Sequence, residues 1–128
     1  MEDIRSKQRF ENFKKALKQY ESAAVPHLSQ LETEGLIQRF EYTFELAWKC
    51  LQDLLSERGY KEIRGPRPVI EQSFQDGIIQ DGVLWFEMLK ARNETTHIYD
   101  EKTLQEIAKK VLGPFLKALQ DFNQRFPQ

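Results

Sequence analysis

Four side chains able to do polar chemistry lie within eight residues of one another: Arg92, Asn93, His97 and Tyr99. Histidine accepts and donates protons near neutral pH. The guanidinium of arginine is a rigid fork of donors that suits phosphate oxygens. Together, His97 and Arg92 could cleave an RNA phosphodiester without a metal. The imidazole would take the proton of the 2′-hydroxyl or protonate the leaving oxygen, and the guanidinium would stabilise charge that develops on the phosphate.

Helix geometry limits this interpretation. On a straight helix at about 100° per residue, Arg92 and His97 would point roughly 140° apart, whereas Asn93 and His97 would share a face. We therefore expect that the helix bends or ends near Thr95–Thr96, or that a second subunit completes the site. The two β-branched residues, followed by Asp100 as a cap, favour an end. The alternative is a chance spacing of polar residues at a helix end or in an interface.

Size and composition predict a single globular domain. The chain has 128 residues, of which 40% are hydrophobic and 30% charged, a balance that argues against a disordered chain. One domain over residues 1–128 is therefore expected. The 19 basic and 20 acidic residues leave a net charge of −1. A nucleic-acid contact therefore has to rest on a local patch, because the molecule as a whole has no basic field.

Cysteine and histidine are too few for a disulfide or zinc framework. Cys50 is the only cysteine, and His27 and His97 lie far apart in sequence. We expect Cys50 to be a buried apolar residue in a reducing compartment, and we expect no metal and no cofactor. The first residues show no apolar signal region, and no apolar run approaches the ~20 residues of a membrane helix. This predicts a cytoplasmic protein without membrane contact.

Apolar residues recur at spacings of three and four along most of the chain, which predicts helices. Strand signals are missing, since no stretch alternates regularly and no hairpin turn separates β-branched runs. Five segments are predicted, at about 3–24, 33–58, 68–76, from about 81, and at about 101–126 with a kink at Gly113-Pro114. The expected fold is all-α, an antiparallel up-and-down bundle of four main helices plus a short helix. Gly59 and Gly77 are the predicted ends of the second and third helices, and Asp81 and Asp100 the predicted N-caps of the last two.

The fourth segment is apolar on nearly all sides. Six large apolar residues almost surround its axis, namely Val83, Leu84, Trp85, Phe86, Met88 and Leu89. A helix of that kind has to be buried on every side. In so small a domain this predicts that a second copy of the chain covers one side. We therefore expect a homodimer through the fourth helix, with the Arg92 motif at the end of that helix.

Four residues outside the motif are candidate binding residues. Trp48 could stack on a base, although its place on an apolar stripe favours core or interface packing. Glu45 and Lys49 form an i, i+4 pair, which is most often a solvated contact. Arg67 lies in a predicted loop and could contact RNA or a partner, or serve solubility alone.

Two segments carry a resemblance to a known family. Residues Ile37–Lys49, in the second helix, resemble the long-helix signature of the nucleotidyltransferase substrate-binding protein family. Residues Arg92–Glu101 resemble its second signature, and Pro66-Arg67 and Ile79-x-Asp81 lie between the two. That family belongs to the HEPN superfamily, whose hallmark is an arginine, four to six further residues and then a histidine. Four residues stand between them here, and the following His-x-Tyr is similar to the HepT toxin subgroup.

The resemblance implies a HEPN-like helical bundle that forms a homodimer and works with a small nucleotidyltransferase, with a higher hetero-oligomer of the two among the expectations. It implies a ribonuclease toxin, a metal-independent endoribonuclease acting on RNA, which the transferase silences by adding AMP. Carried over by position, Arg92 and His97 are the catalytic pair, Asn93 supports them and Tyr99 accepts AMP. Thr96 and Ala91 stand where relatives often have serine and aspartate, which leaves the rate and the substrate open. The alternative is a non-catalytic subunit that binds a nucleotide or substrate for the transferase.

Overall fold

Six helices make up the described part of the chain, residues 4–94 and 100–126 of a computed structural model. In chain order they are α1 (Ile4–Ala23), α2 (Gln30–Glu57), α3 (Pro66–Gln75), α4 (Gly82–Glu94), α5 (Glu101–Leu112) and α6 (Pro114–Arg125). These residues contain no strand, so the predicted all-α fold is confirmed. Among them, no helix combines the length and the apolarity that crossing a bilayer requires.

Aromatic rings of α2, α4 and α6 pack against one another in the core of the bundle. Phe40 of α2 stacks on Phe115 of α6, with ring centres 5.2 Å apart. Trp85 of α4 lies edge-on to Phe122 of α6 at 5.7 Å and tilted against Phe44 of α2 at 6.0 Å. Such pairs contribute about 0.5–1.5 kcal/mol each beyond the area that they bury. Because these rings contact one another across α2, α4 and α6, they fix the position of α2 relative to α4.

The start of α2 lies three residues before the predicted one, at Gln30 instead of about Thr33. The Ser29 hydroxyl accepts a hydrogen bond from the Glu32 N–H at 3.1 Å, and Glu32 Oε1 accepts one from the Ser29 N–H at 2.8 Å. This reciprocal pair is a capping box, which satisfies two backbone donors at the helix start. The predicted start follows the apolar residues alone, whereas the Ser29-x-x-Glu32 pattern marks the true one.

Glycines in the left-handed region end α2 and α3. Gly59 has a φ of 104° and Gly77 a φ of 75°, a conformation that costs glycine little. Beyond Gly59, the Tyr60 N–H donates to the Leu55 carbonyl at 2.9 Å, as in a Schellman motif. Both predicted helix ends are thereby confirmed, while α3 begins at Pro66, two residues before its predicted start.

Aspartates cap α4 and α5, as predicted. Asp81 Oδ1 accepts a hydrogen bond from the Leu84 N–H at 3.0 Å. Asp100 has an extended backbone, with φ −104° and ψ 121°, and its side chain accepts from the Lys102 N–H. A carboxylate at this position satisfies a free donor and interacts favourably with the helix dipole. Because Asp100 is not helical, α4 and α5 are separate helices.

Within the single chain, α4 buries only one side. Its buried side chains include Trp85, Met88, Leu89 and Ala91. Val83 is 71% exposed, and Leu84 and Phe86 are half-buried. The side of α4 that one chain leaves exposed carries Val83 together with the charged residues Glu87 and Lys90.

The predicted kink at Gly113-Pro114 is a full break between α5 and α6. Proline has no N–H to donate to the preceding turn, so the last carbonyls of α5 need other donors. The Gly113 N–H donates to the carbonyls of Lys109 and Lys110, and the buried Tyr20 hydroxyl of α1 donates to the carbonyl of Val111. The break is thus tied to α1 by a hydrogen bond.

Candidate functional site

An ion pair between α2 and α4 marks the candidate site. Arg92 Nη2 lies 2.8 Å from Glu45 Oε2, and the two side chains are 35% and 27% exposed. Glu45 lies in the middle of α2, and Arg92 lies in the last described turn of α4. The guanidinium is therefore held by a carboxylate from another helix while part of it still meets solvent. A fixed, accessible guanidinium is suited to phosphate oxygens.

Asn93 contacts the same guanidinium. Its Oδ1 accepts a hydrogen bond from Arg92 Nη1 at 3.1 Å. Glu45 and Asn93 thus engage the two terminal nitrogens of Arg92. Two of the predicted site residues, Arg92 and Asn93, are in direct contact, and Glu45 from the binding set joins them.

The next turn of α2 carries Trp48 and Lys49. Trp48 is 8% exposed and belongs to the hydrophobic core, so the packing interpretation of this residue fits its burial. Its indole N–H is buried and has no hydrogen-bond partner among the described residues. The Lys49 ammonium lies 5.8 Å from the centre of the Trp48 ring, within the range of a cation–π contact.

The structure places Arg67 away from this group. Its guanidinium carbon lies 5.3 Å from the ring centre of Phe86. Phe86 precedes Arg92 by six positions on α4, which corresponds to about 9 Å along the helix axis at 1.5 Å per residue. Arg67 is also in the first turn of α3 and not in a loop. The cation–π contact covers part of the half-buried Phe86 ring.

His97 and Tyr99 lie outside the described residues, as do Thr95 and Thr96. Their roles in catalysis and in AMP acceptance stay predictions. Beyond them, Asp100 has an extended backbone and begins the turn into α5.

Sequence reasoning missed the contact between Glu45 and Arg92. On a single helix the only visible partner of Glu45 is Lys49, at i+4. The observed partner is 47 positions further along the chain, and no local spacing reports such a contact. The available signal was indirect, since the two residues lie in the two segments that carry the family resemblance.

A groove lies at the other end of α4, between its first turns and α6, with a volume of about 370 Å³. Apolar residues such as Trp85 and Phe122 line it together with charged residues such as Asp81, Lys117 and Asp121. None of the described site residues is among its lining. In the same described part of the chain, no three side chains of the metal-binding types His, Cys, Asp and Glu converge.

Comparison with known proteins identifies the family of the chain. The model of the family described as nucleotidyltransferase substrate binding protein like matches residues 8–128. A protein from Thermus thermophilus, known from its crystal structure, is similar with a TM-score of 0.84 and 31% identity, over 91% of this chain and 99% of that chain. No curated protein matches. The family match includes both helices that form the ion pair. The chain therefore belongs to the nucleotidyltransferase substrate binding protein-like family.

Proposed function

We propose that this protein is a ribonuclease toxin that works as a homodimer and is silenced by a small partner nucleotidyltransferase. The observation that carries the proposal is the Arg92 guanidinium, held by Glu45 and Asn93 and still partly exposed at the end of α4. The family match supports the association with a nucleotidyltransferase. The hallmark spacing of Arg92 and His97 supports cleavage of RNA.

The proposed reaction is cleavage by the neighbouring 2′-hydroxyl of the RNA. The 2′-oxygen attacks the phosphorus, the bond to the 5′-oxygen breaks, and the products are a 2′,3′-cyclic phosphate and a free 5′-hydroxyl. His97 takes the proton of the nucleophile or gives one to the leaving oxygen. Arg92 stabilises the negative charge that grows on the non-bridging oxygens. No metal ion is needed for these steps.

The dimer is proposed to form through α4. Val83 is 71% exposed on this helix, and the neighbouring Phe74 of α3 is 50% exposed. Large apolar side chains exposed together favour association. Joining two α4 helices would bring two copies of the Arg92 motif to one groove, where a single phosphodiester could meet groups from both protomers.

Silencing is proposed to occur at Tyr99. Transfer of AMP forms a bond between the tyrosine oxygen and the α-phosphorus of ATP, and pyrophosphate leaves. The added phosphate carries negative charge two residues from His97. The added phosphate would compete with the RNA phosphate for Arg92. The AMP group would also block, by its size, the proposed RNA-binding groove between the two protomers.

Co-expression with the partner nucleotidyltransferase tests the proposal. Expressed alone, the wild-type protein should stop growth, and Arg92→Ala or His97→Ala should relieve the inhibition while the dimer persists. With the partner, growth should return, and the intact mass should rise by one AMP, an increase that is absent in Tyr99→Phe. Growth inhibition by Arg92→Ala equal to that by the wild type, at equal expression, would contradict the proposal.

A second function is favoured by the family's description as substrate binding. In that case the protein is a non-catalytic subunit that presents a nucleotide or substrate to the transferase. The same variants separate the two functions. A subunit of this kind would leave RNA intact, and Arg92→Ala would instead weaken binding of the transferase or of the nucleotide.

A further inference from the structure

We infer that Glu45 is a positioning residue, which holds the Arg92 guanidinium in the orientation that the reacting phosphate requires. This inference rests on the proposed ribonuclease function and assigns Glu45 a role within it. Glu45 acts through Arg92 and need not touch the RNA. The contact that carries the inference is the 2.8 Å ion pair between Arg92 Nη2 and Glu45 Oε2.

The position of Glu45 is itself well fixed. Its neighbours on α2, Phe44 and Ala47, are fully buried, and Trp48 is nearly so. The capping box at Ser29 and the left-handed Gly59 define the two ends of the helix. Arg92, in contrast, lies in the last described turn of α4 with a long, partly exposed side chain. Packing therefore fixes the backbone that carries Glu45, and the Glu45 carboxylate holds the Arg92 side chain.

The choice of Arg92 over Lys49 as the partner of Glu45 also supports a positioning role. Lys49 is one turn from Glu45 on the same helix and would be its expected partner. The structure instead gives Glu45 the Arg92 guanidinium and leaves the Lys49 ammonium over the Trp48 ring, 5.8 Å from the ring centre. The carboxylate is thus engaged with the catalytic candidate, and a cation next to it is engaged elsewhere.

Fixing the guanidinium matters because charge stabilisation depends on donors that are oriented before the reaction. A displacement of about 1 Å at the reacting groups can cost about 100-fold in rate. A guanidinium released from Glu45 would still attract RNA by its charge. The predicted signature of a positioning role is therefore a loss in kcat with little change in KM.

The experiment compares Glu45→Ala and Glu45→Gln with the wild type in RNA cleavage by the purified dimer. Glu34→Gln is the matched control, since Glu34 is an exposed carboxylate on the same helix. We expect Glu45→Ala to lower kcat by about 10- to 100-fold with KM within about twofold. Glu45→Gln keeps an acceptor oxygen in place and should recover most of the rate, and the control should match the wild type.

A second readout reports on Arg92 without RNA. The Nε–H resonance of Arg92, assigned by its absence in Arg92→Lys, should stand apart from those of mobile surface arginines and should merge with them in Glu45→Ala. If that resonance is unmoved, or if kcat stays at the wild-type value in Glu45→Ala while Arg92→Ala is inactive, the positioning role is wrong and the ribonuclease function stands. If Arg92→Ala cleaves RNA like the wild type, the proposed function itself is wrong.

Discussion

Burial separates the side chains that can react with solutes from those that cannot, and Cys50 is the clearest case at the residue scale. Its side chain is 1% exposed. Burial raises the pKa of the Cys50 thiol to about 12, with a further rise from Asp53 and an opposing effect of Arg9. At pH 8 roughly 1 in 10,000 molecules would carry the reactive thiolate. The expectation that Cys50 is a buried apolar residue is confirmed.

We therefore predict that the native protein does not react with Ellman's reagent at pH 8 on the timescale of a free thiol. In denaturing guanidinium chloride one thiol per chain should react at once, which controls for an oxidised cysteine. Rapid labelling of the native protein at the rate of the denatured chain would contradict the burial of this residue.

Residue types and their spacing identify Arg92 as a candidate, and they fail to identify its partner. The sequence alone shows an arginine next to an amide, with four residues between that arginine and a histidine. The Glu45 contact depends on how α2 and α4 pack, because the two residues come from distant parts of the chain. For Trp48 the apolar stripe correctly predicts packing. For Arg67 no periodic signal points to its contact with Phe86.

At the scale of elements, the N-terminal cap of α2 supports the helix that carries Glu45. Ser29→Ala removes the acceptor for the Glu32 N–H and leaves the reverse hydrogen bond from the Ser29 N–H to Glu32 intact. We predict a loss of about 1 kcal/mol in the free energy of unfolding, the usual cost of an N-cap serine. Urea denaturation at neutral pH measures it. Ser22→Ala is the matched control, because its exposed hydroxyl contacts only the Gln19 carbonyl within its own helix.

The contribution of this cap to the stability of the protein is expected to depend on pH. Hydrogen bonds from the backbone and the side chain of Ser29 hold the pKa of Glu32 below its ordinary value of 4.5. A carboxylate with a lowered pKa in the folded state stabilises above the pKa of the unfolded chain, and this contribution is lost as the pH falls through the lower, folded value. The difference in stability between wild type and Glu32→Gln should therefore shrink below pH 4.5. A difference that grows on acidification would contradict the capping box.

Helix type and most helix ends follow from the sequence because they depend on local chemistry. Apolar spacing, Gly59 at an end and Asp100 at a start act over a few residues. The capping box at Ser29 is equally local, but the apolar pattern does not report it because that pattern begins later in the chain. The full break at Gly113-Pro114 is different, since it is supported by Tyr20 from α1. That hydrogen bond joins distant parts of the chain, so it is visible only in three dimensions.

At the scale of the whole molecule, the proposed dimer depends on the exposed Val83 of α4. We predict that Val83→Glu dissociates the dimer, because a carboxylate buried in an apolar interface without a partner costs about 3 kcal/mol or more. This corresponds to more than about a hundredfold in the dimer dissociation constant. Sedimentation equilibrium measures the change.

Leu31→Glu is the matched control for the dimer. Leu31 is an exposed apolar residue of α2, 80% exposed, and it does not belong to the proposed interface. It should leave the dissociation constant unchanged. A Val83→Glu variant that sediments like the wild type would show that α4 is not the interface, and a wild-type monomer would remove the proposed dimer altogether.

Cleavage of RNA by the purified protein in the presence of EDTA tests the central claim most directly. The wild type should cut RNA without a metal and leave 2′,3′-cyclic phosphate ends, and Arg92→Ala should be slower by about 100-fold or more, the loss expected for a group that stabilises transition-state charge. Equal rates for the wild type and Arg92→Ala, or cleavage that EDTA abolishes, would contradict the account.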